Sequence, residues 1–234
     1  MDRWVRTADD VLSMLDGWFS REVSWDEFYA DRSRDIPFFA PKPDENLVAH
    51  VESGLIAPGR ALDVGCGPGR NAIWLASAGF DVDAVDQSRL ALDWAGERAA
   101  EAGAEVRFHC GDLFSLPLQA GQYDLVYDHG CLHHLPPHRR VSYLALLERV
   151  LRPGGYFGLA CFAAGQMGSE APDEQLYREG TVHRGLAFTP EALRAIFADF
   201  AEIELRPMRP QPSDAAVFGE PYLLTALFRR GDSG

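Results

Sequence analysis

No Cys-x-x-Cys pair occurs in this chain of 234 residues; its four cysteines, Cys66, Cys110, Cys131 and Cys161, stand far apart. That argues against a disulfide framework and fits a reducing compartment. Basic charge is short as well: 22 Lys and Arg against 35 Asp and Glu give a net charge of −13. Phosphate backbones and anionic lipid surfaces both call for a basic patch, so neither nucleic acid nor membrane is expected as a partner. No apolar run approaches the length of a membrane span, and the opening Met1-Asp2-Arg3-Trp4 carries no signal-like apolar core. Internal repeats and low-complexity stretches are absent. The expectation is a soluble, cytoplasmic protein, monomer or homodimer, whose partner by elimination is a small molecule.

What is present suits one α/β domain with some decoration, long enough to bury a sizeable core. Val11, Leu12, Leu15, Trp18 and Phe19 share one face of a helix expected over residues 7–20, with Thr7 as its cap. Ser24 can cap a second short helix through Tyr29, with Glu27 placed for a capping box. The stretch 31–43 holds three prolines and the adjacent Phe38 and Phe39, and reads as an ordered loop lying over something. Asp44 is expected to cap a third helix.

From residue 60 strands and helices alternate, which signals a Rossmann-like, mostly parallel sheet with helices on both faces. Five strands are expected at 60–64, 81–85, 105–110, 123–127 and 156–162. Residues 163–187 are aperiodic, and a connection of that length in a compact domain is usually functional. Thr189-Pro190-Glu191 opens a last helix, and 202–207 and 221–228 would close the sheet as an edge pair.

The stretch around which the chain is organised is Ala61-Leu62-Asp63-Val64-Gly65-Cys66-Gly67-Pro68-Gly69-Arg70-Asn71: an apolar strand, a turn with glycine at every second position, then a helix. Glycines allow close backbone approach to a ligand, and the helix start offers unpaired N–H groups. Ligands of open α/β sheets sit beyond the carboxyl ends of the strands. After the second strand comes Asp86, about 20 residues past the loop, where an acid can take both ribose hydroxyls. After the third comes Asp112, able to accept from an exocyclic adenine amine, with Leu113 and Phe114 beside the ring.

The spacing Gly65, Gly67, Gly69 with acids at successive strand ends resembles the class I S-adenosylmethionine-dependent methyltransferases, over about residues 60–163. The run from Gly67 to Leu75, followed by Gly79 to Asp86, is similar to the tellurite-resistance methyltransferases. Trp25-x-x-x-Tyr29 with Asp128-His129-Gly130 is similar to the thiopurine methyltransferase branch, which usually has Asp-Arg-Gly. That resemblance implies seven strands with an antiparallel last pair and a helical extension over 1–59 that closes the site. The methyltransferase domain would then run over 60–234, with an insertion at about 163–187. The cofactor implied is S-adenosyl-L-methionine, held by Trp25, Tyr29, Asp63, Gly65, Gly67, Gly69, Asn71, Asp86, Gln87, Asp112, Leu113, Asp128 and His129. At position 129 an arginine would meet the methionine carboxylate as a fork, whereas histidine offers one nitrogen.

The acceptor is expected to be a small molecule presenting sulfur, oxygen, nitrogen or a chalcogen oxyanion. Candidate bases are His129, His133 and His134; candidate acceptor contacts are Arg34, Phe38, Phe39, His183 and Arg184. Cys131, His133, His134 and His138 match no usual zinc spacing, so no metal is expected. Three rivals stay open. A nucleic-acid or protein methyltransferase is disfavoured because residues 128–131 lack the (Asn/Asp)-Pro-Pro-(Tyr/Phe) turn. A non-catalytic module binding the cofactor or its product fits the same residues. A nicotinamide dehydrogenase is disfavoured by the glycine spacing.

Overall fold

The computed structural model describes residues 4–19 and 24–232. Three helices precede the sheet. Thr7 caps α1 (Ala8–Asp16) through a reciprocal capping box with Asp10. Gly17 follows as the C-cap, so this helix is shorter than its apolar pattern over 7–20, whose last residue, Ser20, lies outside the described residues. None of its residues is buried. It is tied down instead through Asp16, which accepts from Arg139 Nε at 2.9 Å and meets His138 Nε2 at 2.8 Å. Ser24 caps α2 (Trp25–Ala30) by accepting from the Glu27 amide. A 3-10 turn over Pro37–Phe39 then leads to α3 (Glu45–Glu52).

The remaining elements alternate: β1 (Arg60–Val64), α4 (Arg70–Ser77), β2 (Asp81–Asp86), α5 (Arg89–Ala102), β3 (Val106–Cys110), β4 (Tyr123–His129), α6 (Arg139–Val150) and β5 (Leu151–Phe162). After them come α7 (Asp173–Glu179), α8 (Pro190–Ile196), β6 (Phe200–Pro207) and β7 (Leu223–Arg230). The seven strands form one sheet in the order β3-β2-β1-β4-β5-β7-β6. The first five are mutually parallel, and β7 runs antiparallel to both β5 and β6. The strand order reverses between β1 and β4, the switch point at which open α/β sheets bind ligands.

The fifth strand starts five residues before the expected Tyr156. Leu151 pairs with Tyr123 and Tyr156 with Leu125, so Arg152–Gly155 loop out as an irregularity inside a strand that β4 and β7 hold on both sides. Residues 163–187, read as aperiodic, contain α7, whose two turns bury only Leu176. Two isolated bridges, Ala163 to Phe188 and Ser169 to Leu186, close this segment back on the end of β5.

Strand alternation sorts the core into two layers. Leu62, Val64, Val126 and Phe157 meet Leu146, Leu147 and Val150 of α6 and Leu193 of α8. Ala61, Leu125 and Tyr127 meet Leu47 of α3 and Ala72 and Leu75 of α4. Each buried Leu, Val or Phe among these is worth about 1.5–3 kcal/mol of transfer free energy, and each Ala less. The same alternation puts Asp63, Tyr127 and His129 on the α3/α4 side of the sheet and Asp128 on the α6 side.

Candidate active site

The carboxyl ends of the parallel strands open into a cavity of about 400 Å³, within the range of small-ligand sites. Its lower wall is the glycine turn. Gly67 has φ 52, and a Cβ there would stand 2.7 Å from the Tyr29 hydroxyl, so only glycine lets Tyr29 lie against the turn. The Cys66 amide donates to the Val85 carbonyl (3.0 Å) and the Gly67 amide to Asp86 Oδ2 (2.9 Å), fastening the turn to the end of β2. Gly69, also expected at the cofactor, is instead the left-handed N-cap of α4. A Cβ there would meet Ala95 at 3.0 Å and Ile73 at 3.2 Å, so it serves helix packing and does not line the cavity.

Asp86 lines the cavity, its Oδ1 accepting from the Ser88 amide at 2.8 Å. Each oxygen retains acceptor capacity beyond these backbone bonds. Burial raises its pKa. Gln87, Asp112 and Leu113 line the same end. Asp112 closes its own turn, accepting from the Phe114 amide at 3.1 Å and Ser115 Oγ at 2.9 Å.

Asp63 lies beneath the turn with its Oδ2 buried and without a hydrogen-bond partner among the described residues. Burial pushes its pKa up to about 8; the negative Asp44 and Asp128 add to the rise and Arg70 opposes it. A cationic amine in the cavity is the group that would satisfy this oxygen.

Beside it stands a buried cluster that the sequence did not announce. Asp44 carries no helix-capping bond; its carboxylate turns inward, fully buried. Arg70 Nη2 pairs with its Oδ1 at 2.7 Å, while Tyr127 Oη (2.6 Å), His129 Nδ1 (2.8 Å) and Asn71 Nδ2 (3.1 Å) surround its Oδ2. These partners hold the Asp44 carboxyl well below the usual range against burial, with Arg70 the largest of them. A cation in the first turn of a helix opposes the positive end of its dipole, so Arg70 directly after Gly69 was itself a hint of an acid nearby. Arg70, Asn71 and His129 face the cavity from this cluster. Burial lowers the pKa of His129.

Asp128, grouped with the cofactor residues on sequence, does not line the cavity. Strand alternation sends it to the other face, where it accepts from the amides of Cys131 (2.7 Å) and Leu132 (3.0 Å) and from Tyr143 Oη (2.6 Å). It shapes the turn that carries the histidines.

The upper wall joins α2, the 3-10 turn and the insertion. Asp26 Oδ1 accepts from Ser88 Oγ at 2.7 Å, bolting α2 to the start of α5 beside Asp86. Trp25 then meets the His134 ring edge-on at 4.8 Å between centroids. His133 stacks on Phe162 at 3.8 Å and accepts at Nδ1 from the Phe162 amide (3.2 Å), which leaves its proton on Nε2. Burial pushes His134 down to about 4 and His133 well below its ordinary value, so both rings are neutral. A Cβ at Gly185 would reach 2.7 Å from Phe162, so the insertion backbone presses on this wall.

Of the expected acceptor contacts, Phe38 lines the cavity and four others do not. Phe39 is buried among Phe28, Tyr29 and Trp94. Arg34 lies over Phe28 and donates to its carbonyl. His183 pairs with Glu179, and Arg184 takes a left-handed turn conformation beyond the wall. Residues the sequence reading missed, Leu135, Phe162, Met167 and Tyr222, line this end. They come from four separate segments and share no motif.

Residues 61–155 match a family described as methyltransferase domain. The 27-O-demethylrifamycin SV methyltransferase of Amycolatopsis mediterranei is 35% identical over 176 residues, 73% of this chain and 62% of that protein. An uncharacterized methyltransferase of Schizosaccharomyces pombe, C750.03c, is 32% identical over 102 residues, 44% of this chain and 70% of that protein. The chain spans about half the length of some of the curated relatives it matches. Among solved structures, 1,6-didemethyltoxoflavin-N1-methyltransferase of Burkholderia thailandensis superposes with a TM-score of 0.63 at 24% identity, covering 99% of this chain and 94% of that one. Sheet order, glycine turn and relatives agree: the chain belongs to the class I S-adenosylmethionine-dependent methyltransferase family.

Proposed function

We propose that this chain transfers a methyl group from S-adenosylmethionine to a small-molecule acceptor bound in the same cavity. The observation that carries the reading is the unpaired, buried Asp63 oxygen facing a glycine-walled cavity that also holds Asp86 and Asp112. On this reading Asp63 receives the cofactor's ammonium group, Asp86 and Gln87 its ribose, and Asp112 and Leu113 its adenine. Asn71 and His129 border the methionine end, and Trp25 and Tyr29 close over it. When bound, the cofactor supplies an electrophilic methyl on a sulfonium with a good leaving group. The chain then has to position the acceptor and exclude water, which can account for much of the rate.

Division of labour follows from the same reading: residues 1–59 act as a covering extension, 60–234 as the catalytic domain and 163–187 as an insertion completing the acceptor wall. A small acceptor is supported by the enclosure of the cavity under Trp25, Phe38 and Met167. It is supported too by the rifamycin and toxoflavin precursors in the names of similar proteins. The test is incubation with methyl-labelled S-adenosylmethionine and a metabolite extract, with label expected in low-molecular-weight product. Label found only in protein or nucleic acid overturns the acceptor class; cofactor binding with no transfer at all makes the chain a binding module. Asp86→Ala is expected to weaken S-adenosylhomocysteine binding tenfold or more by calorimetry, and an unchanged affinity removes the ribose assignment.

A further inference from the structure

We propose that the acceptor of this site is an uncharged, ring-bearing molecule and that the cavity selects against anionic acceptors; the proposal rests on the methyl-transfer reading above. The acceptor half is walled by Trp25, Phe38, Leu135, Phe162, Met167 and Tyr222. Its two histidines, His133 and His134, are held neutral by burial. The only guanidinium or ammonium among the described residues lining the cavity is that of Arg70. Its charge is spent: it pairs with Asp44, donates to the Lys42 carbonyl at 2.7 Å and lies 4.4 Å from the Phe218 ring centroid.

Of the cations expected at the acceptor, Arg34 is engaged with Phe28 and His183 with Glu179. Arg178, in the insertion, pairs with Glu174, and Lys42 Nζ, in the loop after the 3-10 turn, donates to the Ser213 carbonyl. The acids of the cavity wall, Asp63, Asp86 and Asp112, lie at the opposite end, and Arg70 is neutralised by Asp44, so no side chain among the described residues brings an unpaired positive charge to the acceptor half. A carboxylate or oxyanion entering would lose its hydration without meeting an unpaired cationic side chain on the wall, a penalty that grows with burial. A flat neutral ring meets Trp25, Phe38 and Phe162 with no such cost. A chalcogen oxyanion, left open by the sequence, is therefore the acceptor this wall suits least.

The test uses the full chain saturated with S-adenosylhomocysteine and two probes that share a ring system, 2-naphthol (neutral at pH 7) and 2-naphthoate (anionic). Calorimetry is expected to give at least tenfold tighter binding of 2-naphthol, and no detectable binding of tellurite. Met167 is partly exposed, so Met167→Arg introduces a cation at the wall without burying it fully; the preference for 2-naphthol should fall tenfold or more. Equal or tighter binding of 2-naphthoate to the unaltered chain overturns the proposal, as does tellurite binding, or failure of both rings to bind. S-adenosylhomocysteine affinity, read first in the same experiment, separates these outcomes from failure of the methyl-donor reading: if it does not bind, that reading is what falls.

Discussion

Binding of S-adenosylhomocysteine is expected to tighten as pH rises toward 8 and to level off above it, with about one proton released per ligand. The cause is Asp63, whose pKa burial lifts to about 8. In the free protein at pH 6–7 this carboxyl is mostly protonated. A bound ammonium group stabilises the ionised form, so the ligand must expel the proton, at a cost of about tenfold in affinity for each pH unit below the pKa. Calorimetry in two buffers of different ionisation enthalpy counts that proton directly. A flat affinity between pH 6 and 8, with no buffer dependence, removes Asp63 from contact with the cofactor. Linkage makes a second statement with the opposite sign. Because the folded pKa lies above the unfolded value near 3.8, the folded chain holds a proton that the unfolded chain gives up. Asp63 therefore lowers stability progressively between about pH 4 and 8. Asp63→Asn should raise the Tm of the free protein at pH 8 while abolishing tight binding. A function that costs stability is the expected mark of a ligand site.

Asp44→Ala is expected to lower folding stability by about 3–5 kcal/mol, because it strands the buried Arg70 charge. Tyr127, His129 and Asn71 lose a partner in the same step. The double variant Asp44→Ala with Arg70→Met should recover part of this loss, since removing both charges spares the desolvation cost that removing one exposes. Urea unfolding of the single and double variants measures it. A single-variant loss under about 1 kcal/mol would mean that water or a rearranged side chain replaces Asp44. The Asp44 carboxyl is held below the usual range, so its contribution is present above the unfolded carboxylate pKa and fades as pH falls through the folded one.

The alternation of strands and helices was legible because the runs expected as β1 to β4 are short and stop at a glycine or an acid, Gly65, Asp86, Gly111 and Asp128. Helix starts at Thr7, Ser24 and Thr189 were legible because a cap is a local bond spanning three residues. Asp44 had the same local appearance and a different fate: its partners sit 26 to 85 residues away, and no window of sequence reports their approach. Asp128 and His129 are neighbours in a readable turn, yet strand alternation sends one to α6 and the other to the cavity. Phe38 and Phe39 divide in the same way between cavity and core. The start of the long strand β5 was misread because Pro153-Gly154-Gly155 is a stop signal locally, while β4 pairs on both sides of it, with Leu151 and with Tyr156. The acceptor wall was least visible, being built from side chains that only the folded sheet brings together.

The most direct test is a structure of the chain with S-adenosylhomocysteine bound. The ligand's ammonium is expected within hydrogen-bond distance of Asp63 Oδ2, its ribose hydroxyls on Asp86 and its adenine beside Leu113. Its sulfur should face the wall formed by His133, His134 and Phe162. A ligand seated with Asp63 still unpaired, or with its ribose away from Asp86, would contradict this assignment of the cofactor site.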